Sequence, residues 1–197
     1  IGETHRITKS YPTWQEVNVD GQQLIGWQSE WQDFYDWCRD PEVKAYWLVM
    51  REKLAALPVN RECFGFIHND PHMENILVNE QPAGAGEMTA RNIVLLDFDV
   101  ANCHWFITDI SIALQSALFR ASGGMDEPVH DLASAQRFLE HLLEGYQTQN
   151  QLEAFWLAQL DLFINYRRAL LFTVMQDWIE TKPRLHASWK KMILSEA

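Results

Sequence analysis

The chain has 197 residues, of which 47% are hydrophobic and nine are tryptophan, and this is enough apolar material to bury one sizeable core. Its formal net charge of −11 argues against a nucleic-acid binder, which needs a basic face to displace counterions from phosphates. No apolar run reaches the length of a membrane span, and the first residues resemble neither a signal nor a transit peptide. We therefore expect one globular domain with no nucleic-acid or membrane partner.

The three cysteines do not form a pair in the sequence. Cys38, Cys63 and Cys103 include no Cys-x-x-Cys motif, and their odd number does not indicate a disulfide framework. This usage favours a reducing compartment, and we expect a cytoplasmic protein.

Helical patterns dominate the first part of the chain. Residues 1–11 place apolar side chains on one helix face, and residues 13–27 are polar enough to form a loop. Residues 29–40 predict an aromatic-rich helix that packs in the core. Asp40 then caps a further helix, which has proline at its first position and ends at Pro58.

Three short apolar runs in the middle of the chain predict buried strands. They cover residues 64–67, 76–78 and 92–96, and they are rich in Ile, Val and Phe. The third run leads into Asp97 and Asp99. Carboxylates at the ends of buried strands are costly unless they meet a cation or several hydrogen-bond donors. This placement predicts a metal site.

The polar loop between the first two strands carries side chains that phosphoryl transfer needs. That reaction requires a carboxylate at the attacking hydroxyl and hard oxygen ligands for the Mg²⁺ that bridges the phosphates. Asp70, Asn75 and Asp97 supply this set. The spacing from Asp70 to Asn75 lets a tight loop turn one side chain toward the acceptor and the other toward the metal.

Three motifs follow one another along the chain: His68-x-Asp70-x-x-x-x-Asn75, then Leu95-Leu96-Asp97-Phe98-Asp99, then Asp109-Ile110-Ser111. Together they resemble the aminoglycoside phosphotransferase and choline kinase family, which shares the protein-kinase fold. The three motifs in this order are more specific than any one of them alone.

The resemblance implies a role for each motif residue. Asp70 is expected to be the catalytic base, and His68 is expected to brace the catalytic loop around it. Asn75 and Asp97 are expected to bind Mg²⁺ and, through it, ATP as the co-substrate. Asp109 is expected to start a helix and to hold the catalytic loop.

Two details of the motifs favour a small-molecule kinase over a protein kinase. The loop has no lysine two residues after Asp70, where protein kinases usually carry one. Asp97-Phe98 is followed by Asp99 instead of glycine. We therefore expect a small hydroxylated molecule as the acceptor.

The resemblance also implies the fold. Residues 1–197 are expected to form the C-terminal lobe of a protein-kinase-like phosphotransferase, a mainly helical (α+β) fold. In it a helical bundle carries short strands around the catalytic loop. Residues 5–9, His-Arg-Ile-Thr-Lys, resemble the helix that follows the hinge between the lobes in related kinases.

The chain lacks the sequence features of a nucleotide-binding lobe. No glycine-rich strand pair is followed by the strand lysine and helix glutamate that hold ATP phosphates in kinases. The connector 79–92 contains two glycines but no P-loop pattern, and it predicts a hairpin loop. We therefore expect the N-terminal lobe, through which ATP would bind, to be missing from this chain. The chain alone is then expected to be inactive.

The last ninety residues predict helices. Asp109 is read as the N-cap of a buried helix that ends at a pair of glycines, 123–124. Amphipathic patterns then predict helices over residues 131–146 and 152–178, and Pro183 precedes a short helix over 187–194.

The acceptor pocket leaves more than one reading open. In the family the late helices line this pocket, and the acidic candidates by position are Glu153, Asp161, Asp177 and Glu180, each of which can also be a solvated helix charge. Arg167 and Arg168 can equally be internal ion-pair partners. His104 either approaches a substrate or lies at the edge of the core. The acidic net charge favours an amino-bearing acceptor, such as an amino alcohol or an aminoglycoside.

Two further functions remain as alternatives. One is a non-catalytic binding module that keeps the kinase lobe as a scaffold. The other is a metal-dependent hydrolase in which His68, Asp70 and His72 bind zinc or iron, because imidazole and carboxylate suit those metals.

Overall fold

The computed structural model describes residues 1–11, 18–19, 22–23, 25–78, 93–121 and 132–195. Its α-helices are α1 (Gly2–Thr8), α2 (Trp27–Trp37), α3 (Pro41–Ala55), α4 (Ile107–Ala121), α5 (Leu132–Gln147), α6 (Ala154–Leu157), α7 (Leu160–Val174), α8 (Gln176–Glu180) and α9 (Pro183–Leu194). The strands are β1 (Asn18–Val19), β2 (Gln22–Gln23), β3 (Phe64–Ile67), β4 (Ile76–Val78), β5 (Ile93–Leu95) and β6 (Asn102–Trp105). A short 3-10 helix spans Met73–Asn75.

The strands form three antiparallel pairs, β1 with β2, β3 with β6 and β4 with β5. The first pair lies within the stretch 13–27, which the sequence predicted to be a loop. In the second pair, Phe64 stands opposite Trp105 and Ile67 opposite Asn102. The β3–β6 and β4–β5 pairs flank the polar loop 68–75, so the predicted strands lie around this loop as expected.

The prediction that all three of these strands are buried was wrong. Strand β3 is largely buried, but Leu77 and Val78 of β4 and Ile93 and Val94 of β5 are exposed, because no further strand or helix among the described residues packs over these side chains.

Strand β6 was not predicted from the sequence. Its four residues, Asn-Cys-His-Trp, form no apolar run, yet all four are buried. Cys103 also makes a bridge to Gly26, just before α2, so β6 is paired on both sides. The polar side chains of this strand form hydrogen bonds inside the protein. The sequence around the strand does not indicate these bonds, and for this reason the strand was missed.

The helix that follows Asp40 is confirmed together with its cap. The Oδ1 atom of Asp40 accepts hydrogen bonds from the backbone N–H groups of Glu42 at 3.0 Å and Val43 at 3.1 Å. Such a cap satisfies donors that the first turn of a helix leaves unpaired. The helix before it, α2, begins at Trp27, two residues earlier than the predicted range.

The prediction that Asp109 is an N-cap was wrong. Helix α4 begins at Ile107, so Asp109 lies inside its first turn. Its carboxylate is fully buried and accepts hydrogen bonds from other elements instead of from its own helix. The first nine residues of α4 are all buried, which confirms a central buried helix. Its predicted end at 123–124 lies outside the described residues, as do the connector 79–92 and residue 131.

The predicted long helix over 152–178 is three helices, α6, α7 and α8. The breaks contain no glycine or proline. Trp156, Phe163 and Ile179 in the three helices are all buried in the same core, so each helix contributes to it. Helix α9 begins at Pro183, four residues before the predicted start. Proline is tolerated in the first turn of a helix.

An aromatic core lies beneath β3, β6 and the polar loop. The Trp105 ring meets the Phe64 ring edge-on at a centroid distance of 5.2 Å and the Phe163 ring at 5.8 Å. The Trp47 ring of α3 meets the Tyr166 ring of α7 edge-on at 5.2 Å. Edge-to-face pairs add to the hydrophobic stabilisation of these large side chains. The core therefore fixes α3 and α7 relative to the strands that carry the loop.

Candidate active site

Two residues of the site have an unusual backbone conformation. Asn69 has a φ angle of 65° and Asp97 a φ angle of 61°, and they are the non-glycine residues with positive φ in the described ranges. This region is costly for residues other than glycine, and asparagine and aspartate tolerate it best. Such conformations persist where surrounding contacts impose them, often at functional sites.

His68 joins the loop to the segment before Asp97. It is fully buried, and its Nε2–H donates to the carbonyl oxygen of Leu96 at 2.8 Å. Its Nδ1 accepts from the backbone N–H of Asp70 at 3.3 Å. The ring also packs against Phe98, with the centroids 4.3 Å apart. These contacts are the ones that a loop-bracing residue needs.

Asp109 of α4 holds the loop through hydrogen bonds to its backbone. Its Oδ1 accepts from the backbone N–H of Asn69 at 2.8 Å, and its Oδ2 accepts from that of His68 at 3.1 Å and from His5 Nε2 at 3.0 Å. Burial acts to raise the pKa of Asp109, but the bonds from His5, Asn69 and His68 outweigh it and hold this pKa below its usual value. Asp109 is therefore an anion that fixes two adjacent loop residues.

His5 is a neutral partner of Asp109. Complete burial lowers the pKa of His5, although Asp109 acts to raise it. The Tyr146 hydroxyl donates to His5 Nδ1 at 3.0 Å and itself accepts from Asn150 Nδ2 at 2.7 Å. A chain of hydrogen bonds thus runs from the end of α5 through α1 to the catalytic loop.

Glu30 of α2 holds the same loop from another side, and the sequence analysis missed it. Its Oε2 accepts from Asn69 Nδ2 at 2.5 Å and from Asn102 Nδ2 at 2.6 Å, and its Oε1 accepts from the Tyr166 hydroxyl at 2.8 Å. Position 30 shares a helix face with the buried residues Trp27 and Trp31. That helical spacing is the signal that could have placed a carboxylate on the inner face.

His104 belongs to the core and does not face a substrate. It is fully buried, and its Nδ1 accepts from the Trp105 N–H at 3.0 Å and from the Thr108 hydroxyl at 2.6 Å. Its Nε2 lies 4.0 Å from Glu30 Oε1. Burial lowers the pKa of His104 to about 4, so the ring is neutral at physiological pH.

Asp70 is the partly exposed carboxylate of the loop, and each of its carboxylate oxygens faces a nitrogen donor. Its Oδ1 accepts from Arg167 Nη2 of α7 at 2.5 Å. Its Oδ2 lies 3.4 Å from His72 Nε2, while His72 Nδ1 accepts from the Glu74 N–H at 3.2 Å. The expectation that Arg167 is an internal ion-pair partner is confirmed. Its neighbour Arg168 donates from Nη1 to Asn165 Oδ1 at 2.8 Å.

Asn75 and Asp97 lie at the same end of the antiparallel β4–β5 pair. Ile76 stands opposite Leu95, and the Leu96 N–H donates to the Asn75 carbonyl oxygen at 2.9 Å, so Asp97 follows directly. The Asn75 Nδ2 donates to the Asp70 carbonyl oxygen at 3.0 Å, which turns the amide oxygen away from that carbonyl. An amide oxygen and an exposed carboxylate are ligands that suit Mg²⁺, with water and phosphate oxygens completing the shell.

The zinc or iron alternative loses its ligand set. Both ring nitrogens of His68 are used within the loop, on Leu96 and Asp70. Across the described part of the chain, no group of three or more His, Cys, Asp or Glu side chains could hold a metal ion. The hydrolase hypothesis therefore has no site here.

The acidic candidates for the acceptor pocket are scattered. Arg39 Nη2 donates to Asp177 at 2.5 Å and to Glu180 at 3.2 Å on an exposed surface. Asp161 lines a recess of about 500 Å³ between α3 and α7, which Lys53 also lines. Glu153 is exposed. The structure does not gather these four side chains into one pocket.

The sequence profile described as the phosphotransferase enzyme family matches residues 12–172. The chain belongs to this family. The match spans the catalytic loop, the Asp97 segment and α4, and it confirms the resemblance read from the three motifs.

Known relatives extend this result. The chain is 25% identical over 182 residues to the amicoumacin kinase of Bacillus subtilis (strain 168), covering 91% of this chain and 49% of the relative. It is similar in fold, with a TM-score of 0.79 and 23% identity, to amicoumacin kinase hAmiN, solved in complex with AMP-PNP, Ca²⁺ and Ami. That match covers 100% of this chain and 56% of the other.

A second solved structure, a microcompartment-associated aminopropanol kinase, matches with a TM-score of 0.59 at 18% identity, covering 98% of this chain and 58% of the other. The chain thus spans about half the length of each of these relatives. These similarities confirm the predicted kinase-like, mainly helical fold with short strands.

Proposed function

We propose that this family member is a kinase that transfers the γ-phosphoryl group of ATP to a hydroxyl of a small molecule. The observation that carries the proposal is the placement of Asp70, Asn75 and Asp97. The Asn75 side chain bonds to the Asp70 backbone, and the register of the β4–β5 pair brings Asp97 to the same end. A carboxylate for the acceptor beside oxygen ligands for a metal is what phosphoryl transfer requires.

Each residue of the site has a separate role in the proposed reaction. Asp70 orients the acceptor hydroxyl and takes its proton. Asn75 and Asp97 would hold Mg²⁺, which screens the charge of the phosphates when it is bound. His68 and Asp109 keep Asp70 at a fixed position relative to these ligands. Fixed geometry matters because misplacing a reacting group by 1 Å can cost about 100-fold in rate.

The named relatives support the identity of both substrates. One similar structure contains AMP-PNP and a divalent cation, Ca²⁺, which supports ATP with a divalent metal here. Two of the relatives are named as kinases of amicoumacin and of aminopropanol. We therefore propose a small hydroxylated acceptor, with amino-bearing compounds as the first class to try.

Replacing Asp70 by asparagine tests the proposal directly. In the full-length gene product with Mg-ATP and a panel of amino alcohols, aminoglycosides and sugars, we expect Asp70→Asn to lower turnover by about 10²–10⁴-fold. Asp36→Asn is the matched control, because Asp36 is an exposed carboxylate on α2 that bonds to Gln32. Its turnover should equal that of the wild type.

The outcomes separate the two remaining functions. Turnover that depends on Asp70 identifies a kinase and its acceptor class together. Full turnover in Asp70→Asn contradicts the assignment of the base. A wild-type protein without turnover on any acceptor and without metal-dependent nucleotide binding is instead a non-catalytic module on a kinase scaffold.

A further inference from the structure

The catalytic loop itself contains no arginine or lysine. Residues 68–75 read His-Asn-Asp-Pro-His-Met-Glu-Asn, and histidine stands two residues after Asp70. The arginine at Asp70 comes instead from Arg167, which is 97 residues away in the sequence. The contact is mostly sheltered from water, because the side chains of Arg167 and Asp70 are 14% and 23% exposed.

Helix α7 is tied to the loop at two successive positions. Tyr166 bonds to Glu30, which in turn holds the side chain of Asn69. Arg167, the next residue, bonds to Asp70, the next residue of the loop. The two neighbouring attachments fix the position of the guanidinium before any substrate binds. Fixed charge of this kind is effective in catalysis because it needs no reorganisation during the reaction.

The guanidinium has more donors than the Asp70 contact uses. Arginine carries five N–H donors in a planar fork, and the contact with Asp70 Oδ1 is made by Nη2. Phosphoryl transfer spreads negative charge over the three equatorial oxygens of the moving group. A cation that contacts these oxygens more closely in the transition state than in the ground state lowers the barrier.

We propose that Arg167 is a catalytic residue of the phosphoryl transfer. It holds Asp70 Oδ1, which leaves Oδ2, 3.4 Å from His72 Nε2, to receive the acceptor hydroxyl, and it donates to the equatorial oxygens of the γ-phosphoryl group. The acceptor oxygen forms a bond to phosphorus as the bond from phosphorus to the β,γ-bridging oxygen breaks. The electron pair leaves with ADP, and the hydroxyl proton passes to Asp70. This inference rests on the proposed kinase function.

The main test compares Arg167→Gln with Arg168→Gln in the full-length gene product. Arg168 is the adjacent arginine of the same helix, and it bonds to Asn165. We expect Arg167→Gln to lower kcat by about 10²–10³-fold, as loss of a donor to transition-state charge does, with the KM for ATP nearly unchanged. The Arg168→Gln variant should keep its kcat.

A binding measurement that does not depend on turnover separates catalysis from structure. Calorimetry measures the affinity of the protein for two ligands. One is the complex of ADP and aluminium fluoride, which mimics the moving phosphoryl group, and the other is AMP-PNP, which mimics the ground state. We expect Arg167→Gln to lose affinity for the first by about the factor lost in kcat and to keep its affinity for the second. Equal losses for both ligands, together with a lower unfolding temperature, would make Arg167 a structural residue.

The double variant Asp70→Asn/Arg167→Gln covers the case in which Arg167→Gln alone fails to fold. It leaves no unpaired charge, and it is compared with Asp70→Asn for affinity toward ADP with aluminium fluoride. A further loss of affinity supports contact with the phosphoryl group, whereas no further loss contradicts it. If the wild type is active and Arg167→Gln keeps the wild-type kcat, the role of Arg167 is contradicted and the kinase proposal stands. If the wild type is inactive, both the kinase proposal and the role of Arg167 are contradicted.

Discussion

At the scale of single residues, two buried carboxylates, those of Asp109 and Glu30, hold the loop 68–75. The loop in turn carries the partly exposed carboxylate of Asp70. Asp109 accepts from the backbone of the loop, and Glu30 accepts from the side chain of Asn69. A buried carboxylate is favourable only when donors compensate for its lost hydration. Both have such donors, so each stabilises the loop, and removing either leaves several donors unpaired.

Replacing Glu30 by alanine should therefore affect both folding and catalysis. It removes the acceptor of the Asn102 amide and of the Tyr166 hydroxyl and one of the two acceptors of Asn69 Nδ2, which also donates to the Val100 carbonyl oxygen. We expect the free energy of unfolding to fall by about 2–4 kcal/mol. Turnover should fall as well, because Asn69 precedes Asp70. Urea unfolding and steady-state kinetics measure the two effects.

The matched control for this change is Glu140→Ala on α5. Glu140 also accepts a side-chain hydrogen bond, from Gln136 at 2.9 Å, but it is exposed. Its loss should change the stability by less than about 0.5 kcal/mol. Similar stabilities for the Glu30 and Glu140 variants would contradict the role given to Glu30.

At the scale of elements, the close approach of α1 to β3 depends on a residue without a side chain. A Cβ atom at Gly65 would lie 2.5 Å from Thr8 Cγ2 and 3.2 Å from the Phe106 ring. Thr8 cannot turn away at no cost, because its hydroxyl lies within hydrogen-bond distance of the carbonyl oxygens of Thr4 at 3.0 Å and Phe66 at 2.9 Å and donates its one hydrogen between them. This contact places α1, and with it His5, against the loop.

Two glycine substitutions make a matched pair that tests this packing. We expect Gly65→Ala to lower the free energy of unfolding by about 1–3 kcal/mol through overpacking. Gly145→Ala on α5 should raise it by about 0.5–1 kcal/mol, because a Cβ there meets no atom within 4 Å and alanine favours the helix. Chemical denaturation of the two variants gives both values, and a stabilising Gly65→Ala would show that α1 packs differently.

At the scale of the whole molecule, the interior holds polar groups that stay uncharged. The three cysteines are buried free thiols, and burial raises the pKa of Cys103 to about 11. His104 and His5 are fully buried as neutral rings. Within the described ranges, no helix is both long and apolar enough to cross a membrane.

The stability of the fold should decrease in mild acid because of His104. Its pKa is about 4 in the folded protein and 6.5 in its ordinary state, so between these values the unfolded chain binds more protons. The contribution is complete above pH 6.5 and falls by about 3 kcal/mol as the pH drops to 4. Urea unfolding at several pH values measures it.

His104→Asn is the control for this titration. The asparagine oxygen can still accept from the Trp105 N–H, but it does not titrate. The loss of stability between pH 6.5 and 4 should become smaller in this variant, with His5 contributing what is left. An unchanged pH dependence would mean that His104 is not the group that titrates.

The sequence alone was sufficient where the chemistry is local. The positions of the strands at residues 64–67 and 76–78, the cap at Asp40 and each of the three motifs taken singly depend on residues a few positions apart. Backbone preference, capping and spacing act at that range, so a pattern can express them. The family and the kinase-like fold followed from these features, and the assignment of Asp70, Asn75 and Asp97 stays a prediction.

Only the tertiary structure decided which distant groups meet. The pairing of β6 with β3, the contact of Glu30 with Asn69 and that of Arg167 with Asp70 join parts of the chain that are far apart in the sequence, and no local pattern links them. In each case a buried polar group takes the donor or acceptor that the folded core brings near. The sequence therefore determined the residues of the loop 68–75, and long-range packing determined what holds that loop and which cation faces the carboxylate of Asp70.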